Sequence, residues 1–192
     1  KARSETGLPY IHFVGNANNQ APQVYKDKGR RINASNLCNE IQLSSSPDES
    51  FVCCLASMNL LNYDEWKDTD AVEVLCLFLD AVLEEFIQKA KGVKHLERAV
   101  GFSENQRAIG LGATGYHSLL QSKMIPFESL EAQMLNAEVF ETIHKQSLEA
   151  SKRAAAEYGE PPLLKGYGER WVTRMAVAPN TSSAFILGQV SQ

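Results

Sequence analysis

The stretch Ser35-Asn36-Leu37-Cys38-Asn39-Glu40-Ile41 sets an amide, a thiol and a carboxylate at alternate positions. Alternate side chains of an extended backbone point to the same side, so Asn36, Cys38 and Glu40 are predicted to share one face. A glutamate on such a face must be paired or protonated if it is buried. The set suits the handling of a polyol, with Glu40 as base, Asn36 as hydrogen-bonding anchor and Cys38 as redox or radical centre. The alternative is an exposed strand edge that carries an incidental cysteine.

A second candidate site lies near the other end of the chain, at Asn180-Thr181-Ser182-Ser183. It follows a predicted strand over 171–178 and precedes a predicted helix. Small hydroxyl side chains and unpaired backbone N–H groups at a helix N-terminus bind anions such as phosphate. An ordinary helix cap needs only one such residue, and the spacing does not separate the two interpretations.

Glycines at 110, 112 and 115 fit the letter pattern of a dinucleotide-binding fingerprint. That fingerprint requires a strand before it and a βαβ unit around it, and a helical pattern precedes it here. The favoured interpretation is that these glycines let the start of a helix pack closely against a neighbour.

Residues rich in aromatic and branched side chains predict strands over 8–14 and 51–60, and the Asn-rich stretch 15–23 is predicted to be a loop. Apolar residues at helical spacing predict helices over 70–91 and 130–158. Ser129 is a candidate cap for the second helix, and Gly159 is its predicted end. The helix over 70–91 is apolar on most sides, which predicts burial on most sides.

Composition excludes several classes of protein. The 192 residues are 44% hydrophobic, and the net charge of −4 argues against polymeric nucleic acid as a partner. The sequence has no apolar run of about 18 residues, so no membrane span is expected. It opens without an apolar signal segment, and four cysteines are too few for a disulfide scaffold, so a cytoplasmic, reducing location is expected.

The cysteines fall into two groups. Cys53 and Cys54 are neighbours on a predicted strand, so their side chains are expected to face opposite ways. Cys76 lies in the apolar helix and is interpreted as a core residue. With no C-x-x-C pair and four scattered histidines, no metal site is expected.

In several short motifs the chain resembles the large, catalytic subunit of class I ribonucleotide reductase. Six motifs in the family's order carry the resemblance: Glu5 to Ile11, Ser35 to Ile41, Val52-Cys53 with Leu55-Ala56-Ser57, Arg107 to Gly112, Pro126 to Ser129, and Ala178 to Gly188. It implies an α/β fold, namely a helix-rich fragment of a ten-stranded α/β barrel with a central finger loop. All of 1–192 is then part of a single catalytic barrel domain, with the finger loop at about 32–43, the phosphate loop at about 179–184 and no complete second domain.

The resemblance also implies a role for each matching residue. Cys38 would be the thiyl radical that abstracts the 3′ hydrogen of the substrate, and Glu40 would take the proton of the 3′ hydroxyl. Asn36 would hydrogen-bond the ribose hydroxyls. Cys53 would be one of two thiols that end as a disulfide, although Cys54 stands where the family has another residue and makes that assignment less secure. The phosphate loop, Pro179, Asn180, Thr181, Ser182, Ser183 and Ala184, would hold the diphosphate of the substrate.

The implied activity is reduction of ribonucleoside diphosphates to deoxyribonucleoside diphosphates, for DNA replication. The implied partners are the substrate, the rest of the large subunit, a metal-containing small subunit that generates the radical, and thioredoxin or glutaredoxin as reductant. No cofactor is expected on this chain itself. Because the second redox cysteine and the radical path would lie outside it, the isolated chain is expected to be inactive. The alternatives are a fragment of an adenosylcobalamin-dependent reductase and a non-catalytic folding or association module.

Overall fold

The computed structural model describes residues 1–191 and is dominated by helices. Within that range the helices are α1 (Ala2–Thr6), α2 (Val14–Asn19), α3 (Gln23–Asp27), α4 (Tyr63–Trp66), α5 (Ala71–Ala90), α6 (Glu97–Gln106), α7 (Tyr116–Ser122), α8 (Leu130–Tyr158) and α9 (Thr181–Ile186). Short 3₁₀ turns lie at Leu60–Asn62 and Pro162–Leu164. No helix in the described part is long and apolar enough to cross a membrane.

Strands β1 (Leu55–Asn59) and β2 (Gly110–Thr114) form a parallel pair. The register sets Leu55 opposite Gly110 and Asn59 opposite Thr114. The two strands are linked through α4, α5 and α6. Parallel strands need a crossover connection of this kind, and their carboxyl ends then meet at one edge. This is the α/β class that the resemblance implies.

An extended segment, 173–176, continues the sheet beside β2. A parallel bridge joins Leu111 to Met175, and the Leu111 amide donates to the Arg174 carbonyl at 2.8 Å. The Ala176 amide donates to the Leu111 carbonyl at 3.2 Å. The segment therefore delivers residues 177–179 to the same edge at which β1 and β2 end.

The two long helices have the bounds that their sequence patterns predict. Helix α5 packs against α8 and β1, burying Cys76, Leu79 and Leu83. The Ser129 hydroxyl accepts a hydrogen bond from the Ala132 amide at 3.1 Å, which caps α8. Helix α8 ends at Gly159, whose φ of +86° is strained for other residues.

The expectation that α5 is buried on most sides is wrong for this chain. Val74, Phe78 and Val82 are 55%, 59% and 42% exposed. They recur every four residues, so they form one apolar stripe on the side of the helix that faces away from the core.

Two predictions for the first 25 residues are also wrong. Residues 8–13 form no strand, and Tyr10, Ile11 and Phe13 are 71%, 63% and 67% exposed. A strand requires a partner backbone, and this segment lies against none in the described structure. The predicted loop 15–23 contains α2, where Asn18 donates to and accepts from the Ile32 backbone. The polar side chain of Asn18 makes tertiary contacts, so the polarity of this stretch does not indicate a loop.

The other strand predictions hold only in part. The segment 51–60 is a strand only over β1, and 171–178 is extended but makes a single bridge. The glycines do pack closely, but Gly110 and Gly112 lie in a strand and not at a helix start. A Cβ on Gly112 would lie 2.2 Å from the Ala176 carbonyl oxygen, so only glycine admits the 173–176 segment this close.

Candidate active site

A cavity of about 360 Å³ opens at the carboxyl edge of the sheet. Its walls come from the finger loop, the ends of the strands, α7, α8 and the segment before α9: Cys38, Leu60, Ala113, Thr114, Tyr116, Phe140, Val177, Ala178 and Pro179. Ligands of open α/β sheets bind outside the carboxyl ends of the strands, and pockets of this size hold small molecules. The cavity brings together Cys38 and Pro179, which the sequence places in two separate candidate sites.

The finger loop does not present Cys38 on an extended strand. Residues 37–39 form a turn, in which the Asn39 amide donates to the Asn36 carbonyl at 3.2 Å and Asn39 has a φ of +66°. Asparagine tolerates this left-handed conformation better than most residues. The prediction of an extended strand through Cys38 is therefore wrong, because the turn breaks the period of two. Cys38 reaches the cavity because it lies within the turn.

Asn36 and Glu40 flank the turn and are both half-buried. The Asn36 side-chain oxygen accepts from the Ile41 amide at 3.4 Å, which closes the turn. One carboxylate oxygen of Glu40, Oε2, is buried without a hydrogen-bond partner. A buried, unpaired carboxylate oxygen is costly, and such groups in folded proteins call for a functional explanation.

The Cys53 thiol is influenced electrostatically by two residues of the finger loop, Glu40 and Cys38. The pKa of its thiol is raised, first by the burial that remains around an otherwise exposed side chain and then by the nearby Glu40 and Cys38. Glu40 and Cys38 thus both act electrostatically on the Cys53 thiol, although of these three residues only Cys38 lines the cavity. At neutral pH the raised pKa keeps Cys53 as a thiol.

Cys54 faces the other way, as the sequence predicts. It is buried, its thiol donates to the Leu79 carbonyl at 3.4 Å, and burial raises its pKa to about 11. Cys76 is fully buried, and burial raises its pKa to about 12, which confirms it as a core residue. Cys54 is thus a small core residue against α5, and Cys53 is the thiol on the Cys38 side.

The phosphate loop is anchored through Asn180. Its side-chain amide donates to the Ser57 hydroxyl at 2.8 Å and to the Ala178 carbonyl at 2.9 Å. Although Asn180 is the N-cap of α9, it makes no side-chain cap hydrogen bond. Thr181, Ser182 and Ser183 are exposed, and Ala184 is buried. Of the phosphate-loop residues, only Pro179 lines the cavity.

The sequence model of the ribonucleotide reductase barrel domain matches residues 1–166. The chain belongs to the ribonucleotide reductase barrel-domain family. The ribonucleoside-diphosphate reductase large subunit of Invertebrate iridescent virus 3 is 40% identical over 190 residues, which are 98% of this chain and 30% of that protein. The corresponding large subunit of Invertebrate iridescent virus 6 is 39% identical over 155 residues, which are 80% of this chain and 16% of that protein.

A solved structure, the class Id ribonucleotide reductase alpha subunit of Actinobacillus ureae, superposes with a TM-score of 0.95 at 54% identity. The match covers 98% of this chain and 36% of that chain. The chain therefore spans about a third, or less, of these reductase subunits. The family and the α/β barrel fold that the sequence motifs imply are confirmed.

Two features that support the site are absent from the sequence predictions. The first is Gln189, which is buried, donates to the Asn59 side-chain oxygen at 2.6 Å and accepts from the Thr114 hydroxyl at 2.8 Å. It ties the carboxyl ends of β1 and β2 to the segment after α9. No local pattern marks a single glutamine for such a role.

The second is a buried charge cluster of Asp80, Arg107, Arg170 and Trp171, here called the Asp80 cluster. One carboxylate oxygen of Asp80 accepts from Arg107 Nε and Trp171 Nε1, both at 2.8 Å. The other accepts from Arg170 Nε at 2.9 Å. Burial alone would raise the pKa of Asp80, but the hydrogen bonds from Arg107 and Trp171 and the charges of both arginines outweigh it and hold the pKa below its ordinary value.

The Asp80 cluster fixes the frame of the site. Arg107 lies three residues before β2, and Trp171 lies two residues before the extended segment 173–176 that leads to the phosphate loop. Asp80 thus holds both segments against α5. Among residues 1–191, no group of three or more His, Cys, Asp or Glu side chains is placed to hold a metal ion.

Proposed function

We propose that this chain is the radical-bearing part of a ribonucleoside-diphosphate reductase, which reduces ribonucleoside diphosphates to deoxyribonucleoside diphosphates. The observation that carries the proposal is the single cavity that Cys38 and Pro179 share. It supplies a thiol for the ribose at one wall and the start of the phosphate loop at another. The class I assignment is supported by the 54% identity to a class Id alpha subunit.

Cys38 is the group that acts on the ribose. As a thiyl radical it removes the 3′ hydrogen atom from carbon, which restores the Cys38 thiol and leaves the radical on the sugar. The unpartnered Glu40 oxygen is free to take the proton of the 3′ hydroxyl. Because the Asn36 oxygen is occupied by the Ile41 amide, its NH₂ group is the part that donates to the ribose hydroxyls.

Cys53 is one of the two thiols that supply the electrons. Replacing a ribose hydroxyl by hydrogen consumes two electrons and two protons, releases water and leaves the two thiols as a disulfide. Its protonated state suits this step, because each thiol gives up a proton as well as an electron. The second thiol comes from a part of the large subunit outside this chain.

The diphosphate is held at residues 179–184. Ser182 and Ser183 are exposed and carry hydroxyls that can donate to an anion, and the first turn of α9 offers backbone N–H groups. The amide of Asn180 is engaged with Ser57, so this side chain shapes the loop and the hydroxyls and backbone hold the anion.

The remaining parts of the proposal concern the whole protein. The radical comes from a metal-containing small subunit, thioredoxin or glutaredoxin reduces the disulfide, and the enzyme acts in the cytoplasm in support of DNA replication. The isolated chain is inactive, because one redox thiol and the radical path belong to other segments.

The test is turnover in a complete large subunit that carries this sequence, assembled with a radical-generating small subunit. Cys38→Ser should abolish deoxynucleotide formation, since serine does not form an equivalent radical, whereas Cys54→Ala should retain it because Cys54 faces the core. Turnover that survives Cys38→Ser would refute the proposal.

The same assembly separates the two alternatives. Turnover with added adenosylcobalamin and no small subunit would indicate the cobalamin-dependent class. A non-catalytic module would give no turnover in a stable complex, and its nucleotide binding would be unchanged by Ser182→Ala. We expect instead that Ser182→Ala weakens binding of the nucleoside diphosphate.

A further inference from the structure

The turn that presents Cys38 has little apolar packing to hold it. Leu37 is 86% exposed, and Cys38 and Asn39 are exposed as well. Asn39 also adopts the left-handed conformation, which costs free energy for a residue with a side chain. The position of the Cys38 thiol therefore depends on hydrogen bonds that reach the turn from outside it.

Those hydrogen bonds run through Gln42. Its amide NH₂ donates to the Asn39 side-chain oxygen at 3.1 Å and approaches the Asn39 carbonyl oxygen at 3.5 Å. Its own oxygen lies 2.9 Å from Nε2 of His12, in the segment before α2. A chain of contacts thus connects His12, Gln42 and Asn39, the residue directly after Cys38.

The direction of each hydrogen bond follows from its neighbours. Two oxygens of Asn39 face the Gln42 amide, so the NH₂ group must point to Asn39, and the Gln42 oxygen must point to His12. His12 then carries its hydrogen on Nε2 and donates it. The other ring nitrogen, Nδ1, is buried without a hydrogen-bond partner, so the contact of the His12 ring with the finger loop runs through Nε2.

We propose that Gln42 and His12 are positioning residues, which act through Asn39 to hold the turn that presents Cys38 to the ribose. This inference rests on the proposed function and adds two residues to it. Neither residue lines the cavity. Their contacts lead to Asn39 in the turn, so their effect is on the placement of the thiol and not on the binding of the nucleotide.

The decisive variant is Gln42→Glu, in a complete large subunit assembled with its small subunit. Glutamate has the shape of glutamine, but its ionised carboxylate cannot donate to Asn39. We expect kcat for deoxynucleotide formation to fall about tenfold or more, with the KM for the nucleoside diphosphate unchanged, because small displacements of a reacting group carry costs of this order. Gln133→Glu, at an exposed position of α8, is the matched control and should leave both constants unchanged.

His12 provides a second, independent pair of variants. His12→Phe removes the donor and should lower kcat, whereas His12→Gln supplies an NH₂ donor and should restore it. Rescue by glutamine but not by phenylalanine distinguishes hydrogen bonding from simple packing. Equal kcat in both variants, at the wild-type value, would overturn the role of His12.

Hydrogen exchange of the peptide that covers residues 36–43 gives a readout that does not depend on turnover. Gln42→Glu should accelerate it about fivefold, as the loss of one hydrogen bond implies. Unchanged exchange together with unchanged kcat would overturn the inference. Cys38→Ser, measured in the same assay, keeps the two proposals separate: if it is inactive while Gln42→Glu matches the wild type, only the positioning role fails.

Discussion

Asp80 has both carboxylate oxygens hydrogen-bonded to Arg107, Arg170 and Trp171, whereas Glu40 keeps one buried oxygen without a partner. The Asp80 cluster is buried, and the partly exposed Glu84, which accepts from Arg107 at 2.8 Å, supplies the second negative charge that balances its two arginines. This suits a frame that holds β2 and the 171–178 segment in place. The turn of the finger loop, residues 37–39, is exposed, contains a left-handed Asn39 and is held by hydrogen bonds. Unsatisfied groups and local strain concentrate at functional sites because a well-packed frame elsewhere maintains them. This molecule separates the two tasks between two regions.

The strongest test of this comparison is Asp80→Asn. The substitution removes the carboxylate that pairs with two buried arginines, of which Arg107 keeps its ion pair with Glu84 and Arg170 keeps hydrogen bonds to carbonyl oxygens. Breaking a buried charge pair in this way costs about 3–5 kcal/mol. Denaturant unfolding should show a loss of this size in the free energy of unfolding, while the exposed Asp68→Asn should change it little. A loss below about 1 kcal/mol would mean that the cluster does not carry the frame.

Gly112→Ala should have the next largest effect. The new Cβ would meet the Ala176 carbonyl oxygen at 2.2 Å, and backbone atoms cannot move aside as a side chain can. Overpacking of this kind costs about 1–3 kcal/mol. Gly15→Ala is the control, since its Cβ would meet nothing within 4 Å. Equal stability of the two variants would contradict the close approach of 173–176 to β2.

Acid should weaken the frame that the Asp80 cluster holds in place. The pKa of Asp80 is lower in the folded than in the unfolded protein, so its contribution is complete above the unfolded value and is lost as pH falls through the folded value. The free energy of unfolding should therefore decline as pH falls below about 4. Asp80→Asn should remove part of this decline, and an identical acid limb in the variant would contradict the linkage.

Substitution in the exposed turn of the finger loop, residues 37–39, should have the smallest effect on stability. Leu37 is 86% exposed, so Leu37→Ala should change the free energy of unfolding by less than about 0.5 kcal/mol. Thermal unfolding of the variant beside the wild type measures it. A loss above about 1 kcal/mol would show that the turn is packed like the core and would break the comparison with the Asp80 cluster.

The sequence predicted those elements that depend on nearby residues. The bounds of α5 and α8, the Ser129 cap and the stop at Gly159 follow from helical spacing and capping chemistry. The opposite directions of Cys53 and Cys54 follow from the alternation of an extended chain. The family motifs around Cys38 and Asn180 can also be recognised in the sequence, because they are short and contiguous.

The strand predictions were less reliable, for a physical reason. A helix satisfies its own backbone within four residues, whereas a strand needs a partner that is distant along the chain. Residues 8–13 have the composition of a strand but no partner, and 171–178 pairs with β2 only at Met175. The turn at Asn39 was missed because alternation was extended across it.

By itself the sequence determined the family, the long helices and the residues that can do chemistry. The tertiary structure alone decided which of them meet. Cys38 and Pro179 share a cavity because parallel strands end at one edge, and Asp80 reaches Arg170 across 90 residues of chain. The contacts of Gln189 and Gln42 could not be predicted from the sequence for the same reason. Whether a hydrogen bond forms between segments far apart in sequence depends on where the fold places its donor and its acceptor.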